Sequence, residues 1–374
     1  MSPGRRLLAL LSLAMVVDTA AYATITPLLP GLVDEYDLSR SAAGLLSGAY
    51  AIGTLAFALP AAWVASRIGP KRTVVGALAL LAGASLCFGF AGSATVLVGA
   101  RLLQGVGAAA IWAGVLAWVV AVAPRERRAE YLGTAVGAAI AGALGGPALG
   151  ALADQLGLAV VFGAFVALPV VLIAVLVRLD GPDPQPGPGV RGLRSALAEG
   201  RVRGGMWLMT LPALCFGVLN VLGPLRLDEL GAGAIAIGAI FLTAVALEAL
   251  VAPAVGRVAD RHGALVPARF GLATGGVVLA LLPVPEAALV LALGVIVCAP
   301  LLGMLWTPAM ALISEGAEVR GVDPAFGFGL SNLAWGLGAA AGGWGGGALA
   351  GVAGDATPFV VLGLASVGTA AVAR

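Results

Sequence analysis

Hydrophobic residues run through this chain in long blocks separated by short polar connections. Each block is near the ~20 residues that a helix needs to cross a bilayer. Twelve stand out, near residues 7–30, 41–65, 72–91, 95–122, 128–153, 158–178, 205–226, 233–258, 264–283, 286–313, 324–351 and 355–373. A helix satisfies its backbone hydrogen bonds internally, so helices are the spanning form these blocks predict. One connection is long. Residues 179–204 begin with DGPDPQPGPG, whose prolines and glycines forbid a helix, and continue with RGLRSALAEGRVR, which reads as a short basic amphipathic helix on the membrane surface. This linker divides the chain into an N-terminal six-helix bundle, 1–178, and a C-terminal one, 205–374. The opening SPGRRLLALLSLAMVV has features of a cleavable signal sequence. Removing it would leave an odd number of spans, so it is read as the start of the first.

Composition strengthens this picture. The chain is 60% hydrophobic and only 11% charged, with mean hydropathy +1.03, whereas a soluble domain carries about 25% charge. The basic residues fix an orientation, because cytoplasmic loops of membrane proteins are enriched in Lys and Arg. With a cytoplasmic N-terminus, eighteen of the twenty-one basic residues fall in inner loops, Arg40 and Arg226 in outer loops, and Arg101 inside a span. Both termini are therefore expected on the cytoplasmic side of a multi-pass protein of the cell membrane. Cys87, Cys215 and Cys298 fall inside apolar runs and are read as packing residues. The one histidine, His262, sits in a charged loop. No nucleophile or metal-ligand constellation is present, so an enzyme, a bound cofactor and a nucleic-acid partner are not expected.

Two loops repeat. WVASRIGPKR follows the second span and GRVADRHGAL the eighth, and aligning Arg67-Ile68-Gly69 with Arg261-His262-Gly263 gives an offset of 194 residues. Parallel repeats of this kind build transporters from two related halves. At these residues the chain resembles the major facilitator superfamily, whose loop signature is G-x-L-A-D-R-x-G-R-K. Arg67, Gly69, Lys71 and Arg72 fit the first copy, with Ser66 at the acidic position; Gly256, Asp260, Arg261 and Gly263 fit the second. Span 4 carries the family's R-x-x-Q-G-x-G as Arg101, Gln104, Gly105 and Gly107. Span 5 carries Gly142, Gly146, Pro147 and Gly150, similar to the signature of the family's antiporters. The resemblance implies an all-α membrane protein with twelve transmembrane helices in two pseudo-symmetric six-helix bundles, working by alternating access about a midplane site and as a monomer. In it the loop acids bridge inner helix ends, and Ser66 leaves the first of these bridges without its charge.

Three charges are embedded: Asp18 in span 1, Arg101 in span 4 and Glu248 in span 8. An acid at the centre of a membrane helix costs at least ~2.5 kcal/mol on insertion scales, and such residues usually serve function. The repeat offset sharpens this. The counterparts of Asp18, Arg101 and Glu248 are Pro212, Val295 and Thr54, so no charge is duplicated and the scaffold does not require them. Arg101 lies about 9 Å from the outer end of its span at 1.5 Å per residue, close enough to snorkel outward; Gln104 one turn on favours a polar interior instead. Tyr22, four residues after Asp18, shares its face and is a candidate to hydrogen-bond the acid or line a cavity. Gln104, Trp112, Asn220, Asn332 and Trp335 are further cavity candidates, each equally readable as a packing residue.

These residues predict a proton-coupled secondary transporter of small molecules, in the first reading an antiporter that exports lipophilic or cationic compounds, with Asp18, Arg101, Glu248 and Tyr22 at its coupling site. A symporter or uniporter for a sugar, organic acid or other polar solute, with Arg101 clamping an anion, is the alternative. The sequence leaves the substrate open.

Overall fold

The computed structural model describes residues 3–124, 127–184, 189–320 and 324–372, without the side chains of Pro3, Ala129, residues 189–191, Leu193, Asp260 and residues 324–328. Among the described residues the chain is helical, and nine helical stretches are long and apolar enough by length and composition to cross a membrane, with two shorter apolar helices beside them. The helices are α1 (Pro3–Ala23), α2 (Ile25–Tyr36), α3 (Arg40–Ile68), α4 (Pro70–Gly89), α5 (Ala94–Val122), α6 (Arg128–Leu156), α7 (Leu158–Phe165), α8 (Ala167–Leu176), α9 (Gly189–Ala198), α10 (Gly200–Glu229), α11 (Ala234–His262), α12 (Leu265–Leu281), α13 (Ala288–Gly303), α14 (Trp306–Val319), α15 (Pro324–Ala340), α16 (Gly346–Ala353) and α17 (Ala356–Val372). A five-residue π-helical segment, Ala341–Gly345, joins α15 to α16. Every predicted hydrophobic block falls on one of these helices or on two in succession.

Three predicted spans are broken: the first between α1 and α2, the sixth between α7 and α8, the tenth between α13 and α14. In each, the helix after the break has proline as its third residue, Pro27, Pro169 and Pro308. Proline cannot donate to the preceding turn but is tolerated in a first turn, where donors have no helical partner. The break therefore falls just before the proline.

The backbone repeats with the loops. Gly69 and Gly263, the glycines of the two related loops, have φ of 90° and 89°. Asp37 and Gly231, also 194 residues apart, have φ of 47° and 89°. Left-handed backbone favours glycine, so the Gly69 and Gly263 matched in the sequence are required by a turn of the same form.

The packing divides the backbone into two compact units, residues 1–25 with 49–189, and residues 26–48 with 190–374. The first holds α1, most of α3, and α4 to α8. The second holds α2, the start of α3, and the C-terminal helices.

The linker differs from its expected form. Helix α10 starts at Gly200, so Arg201 and Arg203 lie in its first turn and not in a surface helix. Helix α9 is docked through its apolar face: Ala196 is fully buried and packs with Val202, Ile313, Ala317 and Leu330 of the second unit. Arg203 Nη1 donates to the carbonyls of Leu197 and Ala198 at 3.2 and 2.9 Å, closing the C-terminal end of α9 as a cation does favourably. Ion pairs Arg320–Glu199 at 3.0 Å and Arg201–Glu315 at 3.9 Å hold the same corner.

Candidate functional site

In the first unit the embedded charges share one buried cluster. Asp18 is wholly buried. Tyr50 Oη donates to its Oδ1 at 2.7 Å, and Trp112 Nε1 donates to its Oδ2 at 3.1 Å. Both donors are neutral, so the pair of hydrogen bonds satisfies the carboxylate without cancelling its charge. Among the described residues no salt bridge includes Asp18.

Arg101, 2% exposed, is committed elsewhere. Its Nη1 donates to Ala21 O at 2.9 Å and Gln104 Oε1 at 3.0 Å, and its Nη2 to Tyr22 O at 3.1 Å. Ala21 and Tyr22 lie in the last turn of α1, where carbonyls run out of helical partners and a positive charge is favoured. The guanidinium thus holds the end of α1 at the break before Pro27, and it points inward where snorkelling would take it outward. Its Nε is buried without a hydrogen-bond partner among the described residues. Gln104 passes the network on, its Nε2 donating to Ser85 Oγ at 3.1 Å.

Tyr50 connects the two charges. Its ring lies 5.1 Å from the Arg101 guanidinium carbon, a cation–π distance, and 5.0 Å from the Tyr22 ring. Space for it comes from Gly105: a Cβ there would stand 1.9 Å from the Tyr50 carbonyl oxygen, and one at Gly53 would stand 2.1 Å from Leu102 O. The glycine of the R-x-x-Q-G pattern therefore seats α3 against α5. Of the sequence candidates, Asp18, Arg101, Gln104 and Trp112 are brought together here. Tyr22 is adjacent, but the hydrogen bonds to the two Asp18 oxygens come from Tyr50 and Trp112.

Glu248 stands in the second unit, on α11. Trp306 Nε1 donates to its Oε1 at 2.8 Å, and the Trp306 ring stacks on Phe216 at 5.7 Å. A Cβ on Gly303 would lie 2.5 Å from the Glu248 carboxylate, so the acid rests against the backbone at Gly303 and a larger residue there would displace it. Asn220, Asn332 and Trp335 are half-buried in the same unit. The side chains of Asn220 and Asn332 make no hydrogen bond among the described residues.

The span 5 residues face inward. Gly142, Gly146, Pro147 and Gly150 are buried while Ala141, Gly145 and Ala148 are exposed. Added Cβ atoms would come within 2.3 Å of Val16 O at Gly142 and 2.4 Å of Ala23 Cβ at Gly146, so α6 lies directly on α1, the helix carrying Asp18. Thr19 Oγ1 donates to Ala139 O at 2.6 Å across the same contact. Close approach of backbones through small residues is a usual means of packing helices in lipid.

The inner-loop residues are local ties. Lys71 Nζ donates to Val177 O at 3.0 Å and to Leu179 O, joining α4 to the end of α8. Arg67 stacks over Trp63 at 5.6 Å, and Arg72, Arg261 and Gly263 are exposed, with Gly256 half-buried. Ser66 Oγ donates to Trp63 O of its own helix at 2.8 Å, not to a neighbouring helix end. The side chains of Arg191 and Asp260, and the residues Arg125 and Arg374, lie outside what is described.

Sequence reasoning did not single out Tyr50, Ser85, Phe216, Gly303 or Trp306. Tyr50 gives no signal as one aromatic in an apolar span. Trp306 does, since it lies 194 residues after Trp112.

A family model described as Major Facilitator Superfamily matches residues 11–343. Among curated relatives, the chain is 29% identical over 155 residues to Multidrug resistance protein 2 of Bacillus subtilis (41% of this chain, 38% of that protein). It is 31% identical over 153 residues to the 3-(3-hydroxy-phenyl)propionate transporter of Escherichia coli (40% and 37%). The chain spans well under half the length of the curated relatives it matches, 38%, 36% and 40% for the first three. Among solved structures, a bacterial homolog of the human lysosomal transporter Spinster, in an inward-facing and unoccupied conformation, aligns with TM-score 0.75 at 14% identity, covering 99% of this chain and 95% of that one.

Proposed function

Because the chain belongs to the Major Facilitator Superfamily, we propose that it is a proton-coupled antiporter that exports small lipophilic or cationic organic molecules by alternating access, with Asp18 as its principal coupling acid. The observation that carries this reading is a buried carboxylate held by two neutral donors, Tyr50 and Trp112, while the nearby guanidinium of Arg101 is spent on the end of α1. Such an acid has no fixed cation to neutralise it, so a proton or an organic cation can take that place, one displacing the other. The Gly142–Gly146 contact of α6 on α1 supports it by fixing the acid's helix tightly. The protein works as a monomer with two six-helix halves, 1–178 and 205–374, joined by 179–204, and with both termini in the cytoplasm, as the distribution of arginines favours.

The second reading, uptake or exchange of an organic acid through Arg101, draws on the name of the Escherichia coli relative. Against it, three donations from Arg101 are already taken within the protein.

Reconstitution in liposomes loaded with a pH dye separates the two. Tetraphenylphosphonium added outside is expected to release lumenal protons through the wild type and not through Asp18→Asn. Proton movement with an aryl propionate but not with the cation would reject cation antiport. Normal exchange in Asp18→Asn would reject Asp18 as the coupling acid.

A further inference from the structure

The offset that relates the two repeated loops also relates the tryptophans on two embedded acids, Asp18, wholly buried, and Glu248, half-buried. Trp112 and Trp306 are 194 residues apart, as are Arg67 and Arg261. Each donates its indole N–H to a carboxylate inside its own unit, Trp112 to Asp18 at 3.1 Å and Trp306 to Glu248 at 2.8 Å. A third position repeats: Tyr22 and Phe216 are also 194 apart, Tyr22 in tilted ring contact with Tyr50 beside Asp18 and Phe216 stacked on Trp306 beside Glu248. The acids themselves are not related. Asp18 is on the first span of its half, Glu248 on the second of its half, and their counterparts are Pro212 and Thr54.

Two different helices thus bring a carboxylate to the same indole position. The indole is the position the two halves share, and the acid on it comes from a different helix in each. In the second half the Glu248 carboxylate lies against the backbone at Gly303, where a Cβ would push it aside. A residue fitted only for packing would not need an acid here, because a carboxylate in a membrane interior is costly and leucine fills such space without that cost.

We propose that Glu248, Trp306 and Phe216 form a second proton site, the repeat-related counterpart of Asp18, Trp112 and Tyr22, so that the protein exchanges one proton in each half. This rests on the proton-coupled reading above and extends it from one acid to two. The proton is taken from water onto Oε2 of Glu248, the oxygen not engaged by the indole, and returns to water. The groups facing Glu248 are the Trp306 indole from α14 and the Gly303 backbone from α13, with Phe216 of α10 behind the indole. No salt bridge among the described residues includes it. Facing Asp18 are Tyr50 of α3 and Trp112 and Arg101 of α5, while Gly142, Gly146 and the Ala139 carbonyl of α6 lie against α1 beside Val16, Ala23 and Thr19.

Infrared difference spectra of the protein in lipid vesicles, stepped between acid and alkaline buffer, test this without any substrate. Protonated carboxyls absorb apart from the amide bands. The wild type is expected to show two such components, with Asp18→Asn removing one and Glu248→Gln the other. Trp306→Phe is expected to shift only the Glu248 component and Trp112→Phe only the Asp18 component, in protein that still elutes as a single species. If Glu248→Gln leaves the spectrum unchanged, or Trp306→Phe leaves the Glu248 component in place, the second site is wrong while the Asp18 reading survives. If only the Asp18 component is missing from the wild type, the second site stands and the Asp18 reading falls.

Discussion

At the scale of single residues, the decisive fact is that a buried charge has to be held by something, and here the holders are neutral for the acids and backbone for the base. Tyr50 is the residue on which both arrangements meet, donating to Asp18 while its ring covers Arg101. Tyr50→Phe keeps the ring and removes only the hydroxyl. A hydrogen bond to a charged group contributes about 1.5–3 kcal/mol, so the initial rate of cation-driven proton release is expected to fall about tenfold or more with the protein folded and expressed as before. An unchanged rate would mean that Trp112 alone positions the acid. Tyr50→Ala also strips the ring from Arg101, and its thermal midpoint should drop further than that of Tyr50→Phe, which loses the hydrogen bond alone.

At the scale of elements, α6 gives a contrast within one helix. Gly146 faces α1, where a Cβ would stand 2.4 Å from that of Ala23, whereas Gly145 next to it has nothing within 4 Å. Gly146→Leu forces α6 off α1, and overpacking of this kind costs ~1–3 kcal/mol; transport should be lost and the melting temperature lowered. Gly145→Ala should be neutral or stabilising by up to ~1 kcal/mol, because alanine restricts the unfolded chain more than glycine. Equal effects from the two would show that composition, not contact, governs this helix. Helix α9 supplies a pH test. Arg320 Nε donates to Glu199 Oε2 at 3.0 Å and holds the Glu199 carboxyl below its ordinary range. A carboxylate whose pKa is lowered by folding contributes stability above its unfolded value, about 4.3, and loses it as pH falls through the lowered folded value. Amide exchange in 192–198 should therefore speed up below that range, and Arg320→Gln should give the fast exchange already at neutral pH. The sequence carried the amphipathic character of α9 but not its docking, because the partners Ile313, Ala317 and Leu330 are more than a hundred residues away. It carried the three embedded charges and the inward stripe of span 5 for the opposite reason: charge inside an apolar run, and glycines four apart, are visible locally. Breaks in the spans were equally present in the sequence, as Pro27, Pro169 and Pro308, yet hydropathy alone passes over a proline that sits in a first turn.

At the scale of the whole chain, the division by packing crosses the linker at 189/190, within 179–204, and departs from the sequence boundary in one segment. The segment 26–48 belongs by its contacts with 190–374. The reasons are visible in the residues. Arg40 pairs with Glu229 and, at 3.1 Å, with Asp355, and Glu229 is shared with Arg226 at 3.1 Å. Below that cluster the backbones nearly touch: a Cβ at Gly44 would lie 2.5 Å from Gly343 O, and one at Gly347 would lie 2.5 Å from Arg40 O. The π-helical segment 341–345 falls at this contact and also lies against α10, where a Cβ at Gly217 would stand 2.6 Å from Gly343 N. A π turn widens the helix by one residue and is frequent at functional sites; here it offers glycine backbone to two helices at once. Regions that pack as one unit open together in hydrogen exchange. Gly44→Leu should therefore raise exchange in 26–48 and in 341–353 in parallel, leaving 94–122 protected as in the wild type. Arg40→Gln should do the same to a smaller extent, since its partly exposed ion pairs are individually weak. If 26–48 loosens alone, the segment is only leaning on the C-terminal helices. If it loosens together with 94–122, it belongs with the first unit, and the boundary drawn by packing is the one to redraw.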